Sequence, residues 1–365
     1  MPNQNDAKVS IAMATFNGSR YLPEQLDSFA KQTLLPFELV VCDDDSTDGT
    51  LEILTEFSKT SPFEVRIYRN EQRLGPYKNF LKAATLCRGD WIAYSDQDDY
   101  WVDKKIEKIV DTIAEWPDSN QIVHVSRIVD ENLRVKGNAR WPKVGKLTAR
   151  EPFTGPCISF MQISGHASVF KVWLIREVHE RACCSAKNFE VCDRVANDAW
   201  IDLLARTFGN VIYIPDALVL HRRHHNTLSG SGMDTGFGAS VRTAFRTGSA
   251  WYRGHAENVK GYVEFLQHLA GDESFSQREQ AAKGKWYYEK VGRLLRLRAD
   301  IYDRDFGGRV SALIQLILMN AYPTGRLGYG LGARAFAKDL VCTLFGSRQR
   351  WSGNVDKRSK SCRVG

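Results

Sequence analysis

The chain has 365 residues, 43% hydrophobic and 25% charged, which suits a globular protein with a large core and excludes a disordered or fibrous one. Fifty Lys and Arg against 43 Asp and Glu leave a net charge of +7, so an anionic partner is expected: a nucleotide, a membrane surface or a nucleic acid. Eight cysteines without a C-x-x-C pair, several of them in apolar runs, argue against a zinc ribbon or a disulfide framework and for reduced thiols.

The first eight residues, Met1 to Lys8, are polar and lack the apolar core of a signal peptide. Val9 to Ala14 then reads as a strand, Thr15-Phe16-Asn17-Gly18 as the turn after it, and Leu22, Leu26 and Phe29 as one face of a helix with Pro23 near its start. Phe37 to Cys42 is a second strand, running into Asp43-Asp44-Asp45-Ser46-Thr47-Asp48-Gly49-Thr50 and a helix carrying Leu51, Leu54 and Phe57. The same unit recurs: strand Val65 to Tyr68, helix Tyr77 to Ala84, strand Trp91 to Tyr94. A helix over 102–116 follows, with Val102, Ile106, Ile109, Val110 and Ile113 on one face and Pro117 beyond its end.

Strand and helix alternating at this pitch predict an α/β fold with a doubly wound, mostly parallel sheet. Ligands bind such sheets at the carboxyl ends of the strands. Three polar clusters fall there: Thr15-Phe16-Asn17, Asp43-Asp44-Asp45 and Asp96-Gln97-Asp98-Asp99. Three carboxylates within four positions repel one another and need a compensating charge, and hard oxygen ligands in a D-x-D step suit Mg²⁺ or Mn²⁺. Neither G-x-G-x-x-G nor G-x-x-x-x-G-K-[ST] occurs, which removes dinucleotide oxidoreductases and P-loop ATPases. A phosphate-bearing ligand would then be held through a metal and through basic side chains such as Arg73, Lys78 and Arg222.

Further along, Ile122 to Ser126 reads as a strand and 130–160, rich in Pro, Gly and basic residues, as loop. Gly165 to Phe170 leads into a helical pattern. Asn197 to Ala205 is amphipathic with Asp198 in its first turn, and Asp202 one turn later is expected in solvent. Val211 to Ile214 is a strand, and Leu218 to Leu220 runs into His221-Arg222-Arg223-His224-His225-Asn226. From about Ser240 aromatic and basic residues interleave at helical spacing, and nothing there looks catalytic. The apolar run Val310 to Met319 is too short to cross a bilayer.

Taken together, these motifs resemble the family 2 glycosyltransferases, the inverting A-type fold, and within them the bacterial rhamnosyltransferases. The resemblance covers about residues 8 to 230 and rests on the first two strand-and-turn stretches, Ser95 to Trp101, Gly165-His166, Asn197 to Trp200 and His221 to Asn226. It implies a catalytic domain over 1–235 with a mostly helical basic region over 236–365. It also implies roles: Thr15, Asn17 and Asp44 toward the nucleotide, Asp98 as metal ligand with Asp96 beside it or on the ribose, His224 near the metal and diphosphate, and Asp198 as catalytic base. The donor would be a nucleotide-diphosphate sugar, either dTDP-rhamnose or a UDP-sugar, and the acceptor a saccharide or lipid-linked saccharide of the bacterial surface. The protein would be cytoplasmic with peripheral contact at the inner membrane, and would not bind nucleic acid. Three positions depart from the family pattern: Asp45 where Gly is common, Asn197 where His is frequent, and His221 where Tyr is frequent. Two rivals are a nucleotidyltransferase, for which Asp198 has no task, and a catalytically idle, membrane-associated nucleotide- or glycan-binding protein.

Overall fold

The computed structural model describes residues 7–139, 146–153, 164–181, 197–224, 248–323 and 329–346. Its centre is a mixed ten-stranded sheet. Four parallel strands form the first half: β1 (Val9–Thr15), β2 (Glu38–Asp43), β3 (Glu64–Arg69) and β4 (Trp91–Ser95), in the spatial order β3-β2-β1-β4. β1 lies between β2 and β4, with Thr15 opposite Asp43 and Met13 opposite Ser95. The chain therefore leaves β1 toward one side of the sheet and later returns on the other, and that reversal opens a crevice at the carboxyl ends of the strands.

Side-chain alternation assigns each face its helices. Ile11, Met13, Leu39 and Val41 pack on α1 (Leu22–Ala30), α2 (Thr50–Thr60) and α4 (Lys105–Glu115) through Leu22, Leu26, Phe29, Leu54, Ile106 and Ile109. Ala12, Val40, Cys42, Ile92 and Tyr94 face the opposite way, toward α3 (Pro76–Leu86) and α5 (Asn197–Phe208). Both faces are covered, which is why these strands read as continuous apolar runs. α4 starts at Lys105, three residues later than its apolar spacing predicts, because the Val102 amide is drawn to the Leu218 carbonyl, 3.1 Å away.

The second half of the sheet differs from expectation in three places. Residues 168–171, where no strand was expected, are β9, antiparallel to β4 and to β6 (Ser119–Val129), and the helical pattern expected to follow comes at Leu174–His179. Within the stretch expected to be loop, β7 (Val135–Asn138) pairs with β6, and β8 (Thr148–Arg150) pairs with β10. The two segments either side of Pro215 form one strand, β10 (Asn210–Arg222), whose register against β6 shifts between Ile214 and Ala217. A two-residue strand, β5 (Tyr100–Trp101), closes the edge on β10. Short strands made of charged, Gly-containing or proline-interrupted sequence carry little periodic signal, and pairing with long neighbours decides them.

Four helices follow: α6 (Ser249–Gly271), α7 (Arg278–Asp303), α8 (Phe306–Leu318) and α9 (Ala333–Phe345). α6 and α7 run antiparallel, and their buried Tyr262, Phe265, Tyr288 and Leu295 join the same core as Tyr94, Trp200 and Phe170. A Cβ at Gly284 would stand 2.8 Å from Thr207 of α5 and 3.1 Å from Leu266, so α7 approaches both helices only because that position has no side chain. The expected boundary at 235/236 lies outside the described residues.

Candidate active site

The carboxyl ends of β1 and β2 are tied together by their own polar residues. Thr15 Oγ1 donates to Asp43 at 2.7 Å, and Asp43 also accepts from the Ser46 amide at 2.8 Å and the Ser46 hydroxyl at 2.6 Å. Asn17, with φ +46°, accepts from the Thr47 amide at 2.9 Å. Asp45 has φ +65°, the left-handed backbone that explains why Gly is common at that place in the family pattern; Asp tolerates it better than most residues, and Arg69 holds its carboxylate at 2.7 Å. Asp44 is buried and accepts from Asn70 Nδ2, the Leu74 amide and the Gly75 amide at 2.7–2.9 Å. A carboxylate has about four acceptor positions, so these three bonds fix the entry to α3 and leave Asp44 one more, with Arg73 Nε 3.9 Å from its Oδ2. Arg73 lies flat on Phe16 beside it, 3.7 Å from the ring centroid.

The acidic turn after β4 is held from three directions. Gln97 clamps the Phe16 backbone, accepting from its amide at 2.9 Å and donating to its carbonyl at 3.0 Å. Asp99 is fully buried and accepts from His221 Nδ1 and the Arg222 amide, both at 3.0 Å. Burial alone would raise the Asp99 carboxyl, but His221 and His166 hold it down at about 2; burial would likewise lower His221, and Asp99 lifts it to about 9. The two form a buried ion pair. His166 stacks on His221 with ring centroids 4.3 Å apart, donor-acceptor contact to Ser126 Oγ at 3.1 Å, and Nδ1 3.6 Å from Asp96.

Asp98 points away from that cluster. Its Oδ2 lies 2.7 Å from Nε2 of His224, whose ring packs on Tyr21. Burial, with Asp99 and Asp96 adding to it, raises the Asp98 carboxyl to about 6. The turn is thus short of positive charge at its outer edge, although its inner carboxylate is neutralised. Asp98 and His224, offering one hard oxygen and one imidazole nitrogen, could hold a divalent cation whose other positions go to water and phosphate. Asp96, expected beside Asp98, instead faces His166. A second grouping, Asp96, Asp99, His166 and His221, has ligand atoms within 4.8 Å of one another; Asp99 and His221 bond through Oδ1 and Nδ1, while Asp99 Oδ2 and His221 Nε2 are buried without a hydrogen-bond partner.

Arg222 corrects an expectation. Its side chain is 1% exposed: Nε donates to the Asp98 carbonyl at 2.9 Å, and the remaining nitrogens reach the Glu131 carbonyl and the Glu24 carboxylate. It braces the acidic turn from behind and does not face a phosphate. Lys78 stands exposed in the first turn of α3, on the Asp44 side of the rim. His225 lies outside the described residues.

Asp198 opens α5. It accepts from the Ala199 amide at 2.7 Å and sits beside Gly165, and burial together with the charge of Asp96 brings its carboxyl up to about 6. Asp202 is not in solvent as expected; it is fully buried and paired with Arg206 at 2.7 Å. Sequence reasoning gave no role to Lys105, which is completely buried with its ammonium 3.1 Å from the His166 carbonyl and 3.5 Å from the Trp101 ring centroid. Burial pushes its pKa well down, opposed by Asp99 and Asp96. A lysine at the start of an amphipathic helix resembles a solvated residue, so nothing in the sequence marked it.

Residues 10–176 match the family model described as Glycosyl transferase family 2. That match, over a little less than half of the chain, makes this segment similar to the family 2 glycosyltransferases. It is similar to the dTDP-rhamnosyl transferase RfbG of Shigella flexneri, 27% identical over 252 residues that cover 66% of this chain and 81% of that one. It is 32% identical over 126 residues to the uncharacterized protein Rv1520 of Mycobacterium tuberculosis, covering 34% of this chain and 36% of that protein, so it matches about a third of the length of its mycobacterial relatives. Among solved structures it is similar to S. aureus TarS 1-349, with a TM-score of 0.49 and 19% identity over 85% of this chain and 84% of that one.

Proposed function

We propose that this chain is a metal-dependent, inverting glycosyltransferase that moves a sugar from a nucleotide-diphosphate sugar to a saccharide acceptor in bacterial surface polysaccharide synthesis. One observation carries the reading: a carboxylate with a raised pKa, Asp198, shares a rim with the Asp98–His224 pair, and Asp96 lies between them electrostatically. Such a rim separates the two tasks of glycosyl transfer. At the leaving-group side, Asp98 and His224 would hold Mg²⁺ or Mn²⁺, which when bound would supply Lewis-acid stabilisation of the departing diphosphate.

At the acceptor side, Asp198 takes the proton of the attacking hydroxyl. With a pKa of about 6 it is about nine-tenths ionised at neutral pH, yet more basic than an ordinary carboxylate. Displacement from the face opposite the diphosphate inverts the anomeric carbon. The remaining acceptor position of Asp44 suits a base N–H, and Arg73 on Phe16 suits a flat base or its phosphates. Similarity to RfbG makes dTDP-rhamnose the first donor to test.

The test is thermal stabilisation by dTDP, UDP and GDP, each with Mn²⁺ or with EDTA, followed by transfer from the matching donor sugar. The reading expects a metal-dependent shift with one nucleotide that disappears in Asp98→Ala. Absence of a shift with all three at millimolar concentration, with metal present, would make the idle binding protein the better account.

A further inference from the structure

The last two helices end in an uncovered apolar face. On α9, Leu340, Val341, Leu344 and Phe345 recur at helical spacing on the outward side, with Phe345 79% exposed. On α8, Ile314, Ile317 and Leu318 do the same, with Leu318 77% exposed. The opposite side of α8 is already packed through Ala312, Leu313 and Leu316. The Arg309 guanidinium of α8 lies against Gly346 at the end of α9, so the start of α8 meets the end of α9. Exposed apolar stripes on two neighbouring helices of this kind mark a docking surface.

Its border is basic and aromatic. On α7, Trp286, Lys290 and Arg293 succeed one another at i, i+4 and i+7; Trp286 is 60% exposed with Lys290 over its ring, and Arg293 reaches Gln315 of α8 at 3.0 Å. The neighbouring acids are engaged: Asp300 and Asp303 with Arg253 and Arg304, and Asp305 with the Gly308 amide at the start of α8. After α9 the sequence adds Arg348, Arg350, Lys357, Arg358, Lys360 and Arg363 against Asp356 alone.

We propose that the α8–α9 face docks on an anionic lipid bilayer, with Leu344, Phe345, Leu318 and Ile317 entering the acyl boundary and Trp286, Lys290 and Arg293 at the headgroups. Apolar area beside a tryptophan and cations is the combination that binds an interface; each half alone is weak. Among the described residues no helix is long and apolar enough to cross a membrane, so the contact lies along the surface.

The experiment is flotation of the whole chain with vesicles of phosphatidylcholine, and of phosphatidylcholine containing about one-third phosphatidylglycerol. Binding is expected to the anionic vesicles and to fall at least about tenfold with Leu344→Asp plus Phe345→Asp, exposed positions whose change leaves the melting temperature in place. Lys290→Glu plus Arg293→Glu should abolish the preference for phosphatidylglycerol. The proposal is overturned if the native chain ignores anionic vesicles, if the α9 variant binds as well as the native chain, or if ultracentrifugation shows a dimer that the α9 variant dissociates. No sugar transfer is read, so the result is independent of the proposed activity.

Discussion

Nε2 of His224 and Oδ2 of Asp98 lie 2.7 Å apart across 126 positions of sequence. The pair joins the end of β10 to the acidic turn after β4, at the one carboxylate of that turn that burial and like charges raise while its outer edge stays open. Asp98→Ala and His224→Ala should each lower turnover by about 10²- to 10³-fold and remove the Mn²⁺-dependent part of nucleotide stabilisation. Melting curves with Mn²⁺ and with EDTA check this; a shift that survives Asp98→Ala would place the cation elsewhere.

Asp198 sets a pH dependence. A base acts deprotonated, and this carboxyl is raised to about 6, so kcat/KM should climb tenfold per pH unit below about 6 and level off above it. Asp198→Asn should lose about 10²- to 10⁴-fold in kcat and keep nucleotide binding. An unchanged acidic limb in the residual activity of that variant would assign the titration to another group.

The buried Asp99–His221 pair makes stability depend on pH in both directions. Asp99, depressed to about 2, contributes above its unfolded pKa of about 4 and loses that contribution as pH falls toward 2. His221, raised to about 9, contributes fully below about 6.5 and loses it as pH rises through 9. The pair's own contribution to urea-unfolding stability should therefore have a plateau between about pH 4 and 6.5 and decline on either side. It is superposed on the fall between about pH 4 and 6 that the raised carboxyls of Asp98 and Asp198 impose. Asp99→Asn should cost about 3 kcal/mol on the plateau and flatten the alkaline decline. Parallel pH curves for variant and native chain would contradict this account.

Arg222→Lys is expected to behave as a disruptive change. A lysine cannot reach the Asp98 carbonyl, the Glu131 carbonyl and Glu24 together, and would leave buried acceptors unmatched. About 2 kcal/mol of stability should go, with a fall in kcat larger than any change in nucleotide affinity. A raised KM at unchanged kcat would return Arg222 to the role of a phosphate ligand.

Asp45 tests the left-handed turn. Asp45→Gly should change stability by less than about 1 kcal/mol, since relief at φ +65° is offset by a more flexible unfolded chain and the loss of an exposed ion pair. Asp45→Val should cost about 1–3 kcal/mol, because β-branched residues resist that backbone. Equal midpoints for the two variants in urea would show that the φ angle is not what selects the residue.

The parallel half of the sheet was legible because its strands are buried on both faces and its helices have one apolar stripe, so Ile11, Val40 and Ile109 each announce their environment. β7, β8 and β9 were not, since three or four residues such as Thr148–Arg150 carry no period of their own. In the site, residue type located Asp98, His224 and Asp198 on one rim. It did not separate acids that face outward from those neutralised within: Asp99 and Asp202 have the same chemistry as Asp98 and Asp198, and only their partners His221 and Arg206 tell them apart. Arg222 was misread for the same reason, a cation near an acidic motif being equally fit to brace it or to meet a phosphate.

Arg222 also sets an order of events during folding. Its bonds run to Glu24, 198 positions earlier, and to the Asp98 carbonyl, 124 positions earlier, while His221 beside it stands 3.0 Å from Asp99, nearer than His166 at 3.9 Å. Until β10 has emerged and docked, the 96–99 segment lacks the Arg222 brace and the nearer imidazole partner of Asp99. Loop closure over such separations is slow, so the apolar half of the sheet forms while the rim is still open. A nascent chain stalled before residue 221 would have most of its core and only the part of its charge balance that Lys105 and His166 supply.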